Sequence, residues 1–287
     1  MKTIFYNKFE NRLRSGWRIL IISTLLFSSI ALFSVLLGGS YSFAFPLAFV
    51  MIALLWFASK KIDKRTYSEF GISVSKKWFL DFLAGNVMAA VAMGIIVIIQ
   101  LSMNWMLIEE FQFNFLDTTF TGGLLFTLLL MLAVSIWEET YFRSYLITNI
   151  KEGTHFKWVG NSGATLLAVV LSSAFFGIMH FGNPNATWIS TLNISVAGMV
   201  FAYPYIITKS IAIPIGMHLS WNYFQGAVFG LPVSGSQFDQ IFMVVSVTGP
   251  DVFTGGNFGP EAGAAGLLGL MILVTLTESY ITTFYKR

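Results

Sequence analysis

Residues 122–147 read GGLLFTLLLMLAVSIWEETYFRSYLI. The apolar run suits a helix in lipid, where about 20 such residues cross the hydrocarbon. Its C-terminal part then sets Glu138, Glu139 and Arg143 within six residues. Ionisable groups inside a span cost a few kcal/mol each on insertion scales, so this cluster needs a physical reason.

Composition makes lipid the solvent. Of 287 residues, 55% are hydrophobic and 11% charged, with a mean hydropathy of +0.71. A soluble domain carries roughly 25% charged residues, so this chain could not cover a water-facing surface. Spans are expected near 17–38, 42–59, 79–102, 122–147, 161–181, 186–207, 211–230 and 262–284. The expected fold is an all-α membrane protein, a polytopic bundle of about eight transmembrane helices forming a single domain over 1–287. The second span is short and contains Pro46. The first has too long an apolar run for a signal peptide and no small-x-small cleavage site, so it reads as retained. No strand alternation persists, which argues against a transmembrane barrel. With no cysteine, disulfides, thiolate metal sites and a cysteine nucleophile are excluded.

Loop charge sets the expected orientation. All 17 basic residues fall on one side: Lys2, Lys8, Arg12, Arg14 and Arg18, then Lys60, Lys61, Lys64, Arg65, Lys76 and Lys77, then Arg143, Lys151, Lys157, Lys209, Lys286 and Arg287. The opposite loops hold Glu109, Glu110, Asp117, Asp239, Asp251 and Glu261. Both termini are therefore expected in the cytoplasm, at a bacterial plasma membrane. The pI near 9.0 reflects topology and attraction to anionic lipid, not a nucleic-acid partner. In the long connection 231–261, FDQIFMVVSVTG is too short to span and reads as re-entrant or interfacial. TGGNFGPEAG lacks the Lys-Ser/Thr of a phosphate loop and reads as a turn-rich cap.

The polar residues inside spans sort by helical spacing. Glu139 and Arg143 are four apart with the acid first, the favourable order for a helix pair. Glu138 is rotated by about 100° from Glu139, which leaves it on another face. Phe176 and His180 share a face, as do His218 and Asn222. Across three helices this offers a carboxylate, two imidazoles and an amide to one interior space. His155 belongs to an exposed basic loop, and Gln100, Asn193 and Glu278 read as packing or interfacial residues.

EETYFR, FGIMH and HLSWN fit EExxxR, FxxxH and HxxxN in that order. The chain thereby resembles the CPBP family of intramembrane proteases, which includes CAAX prenyl endopeptidases and bacteriocin-immunity homologues, over about residues 120–230. The resemblance implies an intramembrane endopeptidase acting on a membrane-associated peptide or protein. Glu138 would be the general base, His180 would hold and polarise the water, and His218 and Asn222 would donate to the oxyanion. Glu139, Arg143 and Phe176 would support them. A zinc version would use Glu138, His180 and His218, but there is no HExxH and Asn222 is a poor ligand, so a site without metal or other cofactor is preferred. Two rival readings are a non-catalytic immunity or binding protein and a proton-coupled transporter, the latter without an inverted repeat to support it. One difficulty accompanies the constellation. Counted along straight spans, Glu138 and His218 lie roughly 10 Å from the cytoplasmic end, whereas His180 lands near the opposite surface.

Overall fold

The computed structural model describes residues 2–39, 41–112 and 118–285; Asp117, Lys286 and Arg287 of the charge pattern lie outside the described residues. The apolar runs become helices α1 (Ser15–Leu36), α2 (Ala44–Phe57), α3 (Lys76–Ser102), α4 (Thr118–Glu138), α5 (Ile147–Thr154), α6 (Gly160–Met179), α7 (Trp188–Thr208), α8 (Ala212–Tyr223) and α9 (Ala264–Phe284). Pro46 is tolerated because it lies in the first turn of α2, where its missing N–H has no intrahelical partner. Among the described residues, seven helices are long and apolar enough to cross a membrane. The protein is thus a helical integral membrane protein.

Two segments depart from simple spans. A π-helical stretch, Glu139–Leu146, joins α4 to α5, so the apolar helix runs on to Thr154. The expected boundary at 147 stopped about two turns short, because Lys151 and Glu152 look like loop residues by charge alone. The other departure is α8, which continues through a π turn, Phe224–Val228, and stays just below span length. Every residue from Ala212 to Asn222 is buried. A helix apolar all round belongs inside a bundle, and α8 packs there against α3, α4 and α7.

Lipid gives helices no hydrophobic reason to associate, so close backbone approach must supply the contact. Glycine provides it at two crossings. A Cβ at Gly216 of α8 would run into the Phe82 carbonyl and reach Asn86 N at 3.0 Å, while one at Gly85 of α3 would meet Met217 N at 3.0 Å. At the second crossing, a Cβ on Gly177 of α6 would press on Thr191 O and Ser195 of α7, and one on Gly198 of α7 would press on Ser173 of α6.

The connection expected to be re-entrant contains a strand instead. Strand β1 (Met106–Phe111) pairs antiparallel with β2 (Met243–Val247), from Met106 opposite Val247 to Phe111 opposite Met243. Only Met106 of β1 is buried, so no period-2 burial pattern marked the hairpin in the sequence. The remainder of 231–261 forms short turns at Asp251–Thr254, Gly256–Phe258 and Pro260–Ala262, with Gly255, Gly256 and Gly259 at positive φ, as a turn-rich cap requires.

Gly216→Leu should lower thermal stability in detergent by at least about 3 kcal/mol, because backbone stands where the new side chain must go. Gly94→Leu on α3, where nothing lies within 4 Å of a Cβ, should leave the melting temperature nearly unchanged.

Candidate active site

Where α4 passes into the π-helical stretch, all eight residues Glu139–Leu146 are buried. A π turn frees backbone carbonyls that lipid cannot satisfy, so neighbouring side chains must. Ser172 Oγ of α6 donates to Phe142 O at 2.6 Å, and Asn149 Nδ2 donates to Tyr145 O at 3.1 Å. The first of these bonds also sets the height of α6 against the acidic turn.

That height resolves the depth problem of His180. Glu138 lies sixteen residues from the end of α5 at Thr154, and His180 lies twenty from the start of α6 at Gly160. At about 1.5 Å per residue, these depths differ by roughly 6 Å. His218 needs only six residues, because α8 starts deep: Ile211 N donates to Gly71 O at 3.1 Å, beside Phe70, whose carbonyl accepts from Ser144 Oγ at 2.5 Å. Helix α6 ends at Met179, which places His180 at its C-cap facing the same cavity.

The buried charges form a chain. Arg143 Nε stands 3.0 Å from Glu139 Oε2, the expected i,i+4 pair, and His218 Nδ1 donates to Glu139 Oε1 at 2.8 Å. Both carboxylate oxygens of Glu139 are thus engaged. The Arg143 guanidinium also lies over the Phe176 ring, 4.2 Å from its centroid. Glu138 approaches His218 from the other side, with Oε2 3.8 Å from Nε2. That separation is too long for a hydrogen bond, and Oε2 is buried without a partner. The 100° between adjacent glutamates therefore brings one carboxylate to each nitrogen of a single imidazole.

His180 is held in the same sense. Its Nδ1 donates to Phe176 O at 2.8 Å, and the Phe176 and His180 rings meet edge-on with centroids 4.6 Å apart. A ring whose Nδ1–H is fixed by an acceptor presents Nε2 as a lone pair. Glu138, His180, His218 and Asn222 all line one cavity of about 330 Å³, with aromatic walls that include Trp137 and Phe201. Among the described residues, no three His, Cys, Asp or Glu side chains come together as a metal-holding set.

Other residues stand elsewhere than the spacing indicated. Asn193 lines the cavity instead of serving only as packing, because α7 turns that face toward α6 and α8. Glu278 accepts from Tyr203 OH, and Gln100 is fully buried with both amide atoms unpartnered. His155 is exposed, as its loop implied. Sequence spacing missed Glu261, which reaches the cavity from the cap. A lone acid in a glycine-rich connection carries no helical period to reveal it.

Residues 119–224 match the family described as type II CAAX prenyl endopeptidase Rce1-like, and this segment holds Glu138, His180, His218 and Asn222. No curated protein and no solved structure matches the chain.

Arg143→Met should cost about 3–5 kcal/mol of stability by leaving Glu139 as an uncompensated buried charge. The double variant Glu139→Gln/Arg143→Met should recover part of that loss in detergent thermal unfolding.

Proposed function

We propose that this chain hydrolyses a peptide bond of a membrane-associated peptide or protein, using water activated by Glu138, a reading supported by the match of residues 119–224 to the Rce1-like type II CAAX prenyl endopeptidase family. The observation that carries this reading is the unbonded Glu138 Oε2, buried at the cavity wall 3.8 Å from His218 Nε2. An unpaired carboxylate oxygen in such a place is costly unless a ligand, here water, meets it.

In the proposed reaction, Glu138 takes a proton as the water oxygen attacks the scissile carbonyl. The Nε2 lone pair of His180 accepts the water's other hydrogen and aims the oxygen. The Asn222 amide, one helical turn beyond His218, donates to the developing oxyanion. His218 adds a second donor at Nε2 when its ring carries both protons, with Nδ1 held by Glu139. One such preorganised donor contributes about 3 kcal/mol to transition-state stabilisation. Glu138 then passes its proton to the leaving nitrogen, which departs as an amine as the C–N bond breaks. The new carboxylic acid keeps the water's other proton until it ionises on release. Glu139 and Arg143 keep His218 and the π turn in register. The proposed site works without metal.

Glu138→Gln preserves shape and removes the base, so cleavage of a fluorogenic lipopeptide in detergent should fall at least about 10³-fold while the protein stays folded. Wild-type cleavage should survive exhaustive chelation. Retained activity in Glu138→Gln, or chelator loss restored by zinc alone, would overturn the assignment.

We further propose that both termini face the cytoplasm of a bacterial plasma membrane, on the strength of the one-sided basic residues. The chain has no cysteine of its own, so single-cysteine variants report sidedness directly. Lys60→Cys and Lys157→Cys should be protected from an impermeant maleimide in intact cells, and Glu109→Cys and Asp239→Cys should be labelled.

A further inference from the structure

The cap brings a second carboxylate to the cavity. Glu261 lines it together with Glu138 and lies within electrostatic reach of both Glu138 and His218. Its Oε2 accepts from Ser234 N at 2.6 Å and Ser234 Oγ at 3.0 Å, with the Gln225 amide beside it. Ser234 is itself tied to the turn after His180, because Asn183 Nδ2 donates to Ser234 O at 3.1 Å. Glu261 is therefore held in place, and by neutral donors only. Among the described residues it has no ion-pair partner, and no lysine or arginine lines the cavity; Arg143 is paired with Glu139.

Charge accounting then points outward. The cavity wall presents Glu138 and Glu261 and no lysine or arginine, and Glu138 Oε2 is unpartnered in a residue only 7% exposed. Desolvation pushes the Glu261 carboxyl above the ordinary carboxylate range, against the pull of Ser234 and Gln225. A bound cation would remove that penalty, and the surrounding aromatic faces, Trp137, Phe142 and Trp221 among them, suit a cation with an apolar stem.

We propose that Glu261 is a specificity residue that pairs with a basic side chain of the substrate close to the scissile bond, so that peptides with lysine or arginine at that position are the preferred class. This rests on the endopeptidase reading above. It assigns the cap a part in selection: Ser234 and Glu261 are presented together, and the turn that carries His180 holds them.

The test uses the full chain in detergent with palmitoylated fluorogenic decapeptides. A single lysine is moved through every position, each peptide paired with its norleucine counterpart. Wild type should favour lysine at one or two adjacent positions by about tenfold to a hundredfold in kcat/KM, the range of a desolvated charge-assisted hydrogen bond. In Glu261→Gln that ratio should collapse to about one whatever the absolute rates, and Glu261→Asp should restore part of it. A ratio unchanged in Glu261→Gln, or no lysine preference in wild type, would overturn the proposal. The same pairs are titrated by fluorescence anisotropy against Glu138→Gln and Glu138→Gln/Glu261→Gln. If no peptide is cleaved by wild type, the endopeptidase reading fails, and the binding ratio still decides the role of Glu261. Equal binding of lysine and norleucine peptides to Glu138→Gln would sink it independently.

Discussion

The site depends on one carboxylate with two obligations. Glu139 gives Oε2 to Arg143 at 3.0 Å and Oε1 to His218 Nδ1 at 2.8 Å. A guanidinium in this setting must be neutralised, and a buried imidazole must have its orientation fixed; one acid meets both demands. With both oxygens of Glu139 engaged, the ring is anchored from behind and its other nitrogen faces the cavity. The adjacent glutamate is then left with an oxygen, Oε2, that has no hydrogen-bond donor. The charge cluster of the sequence is thus an anchored acid beside an unanchored one.

Such a chain of charges needs an immobile backbone. The continuous helix from Thr119 to Thr154 supplies one, fixed at several heights. At its far end Glu152 is gripped by Arg18, Arg65 and Arg12, the last at 3.1 Å, and Arg18 also holds Asp63 at 2.6 Å. Midway, Ser172 of α6 donates to Phe142 O, and Ser144 donates to the Phe70 carbonyl. The glycine seam between α3 and α8 then fixes the helix that carries His218 and Asn222. Basic residues that follow the topology pattern in sequence therefore have a second use in space, where three of them clamp one acid.

How much of this was legible follows the range of each interaction. Pairs one helical turn apart, Glu139 with Arg143 and Phe176 with His180, were visible because a helix converts sequence distance directly into spatial distance. The eight apolar runs were visible because lipid demands length and low charge. Helix heights were not, because they are set by bonds such as Ser172 to Phe142 O, which no periodicity encodes. The hairpin of β1 with β2 pairs segments more than a hundred residues apart, with five of six β1 residues unburied, so neither locality nor alternation announced it. Glu261 was read only as an acid on one side of the membrane, because its place at the cavity is created by the cap folding back onto Ser234 and Asn183.

The two cavity carboxylates and the Glu139 behind His218 can be ranked by what already occupies them, and the ranking bears on the proposed roles. Glu139 has an arginine and an imidazole, which suits an anchor. Glu261 has the amide and hydroxyl of one serine, donors that orient a charge without cancelling it, which suits recognition of a cation. Glu138 has an oxygen with no donor at all, which suits an acid that must bind a proton and release it within one turnover. A donor fixed on that oxygen would hold the carboxylate ionised and weaken it as a base. The absence of a partner that would be a fault in a structural residue is, in this position, what the proposed chemistry requires.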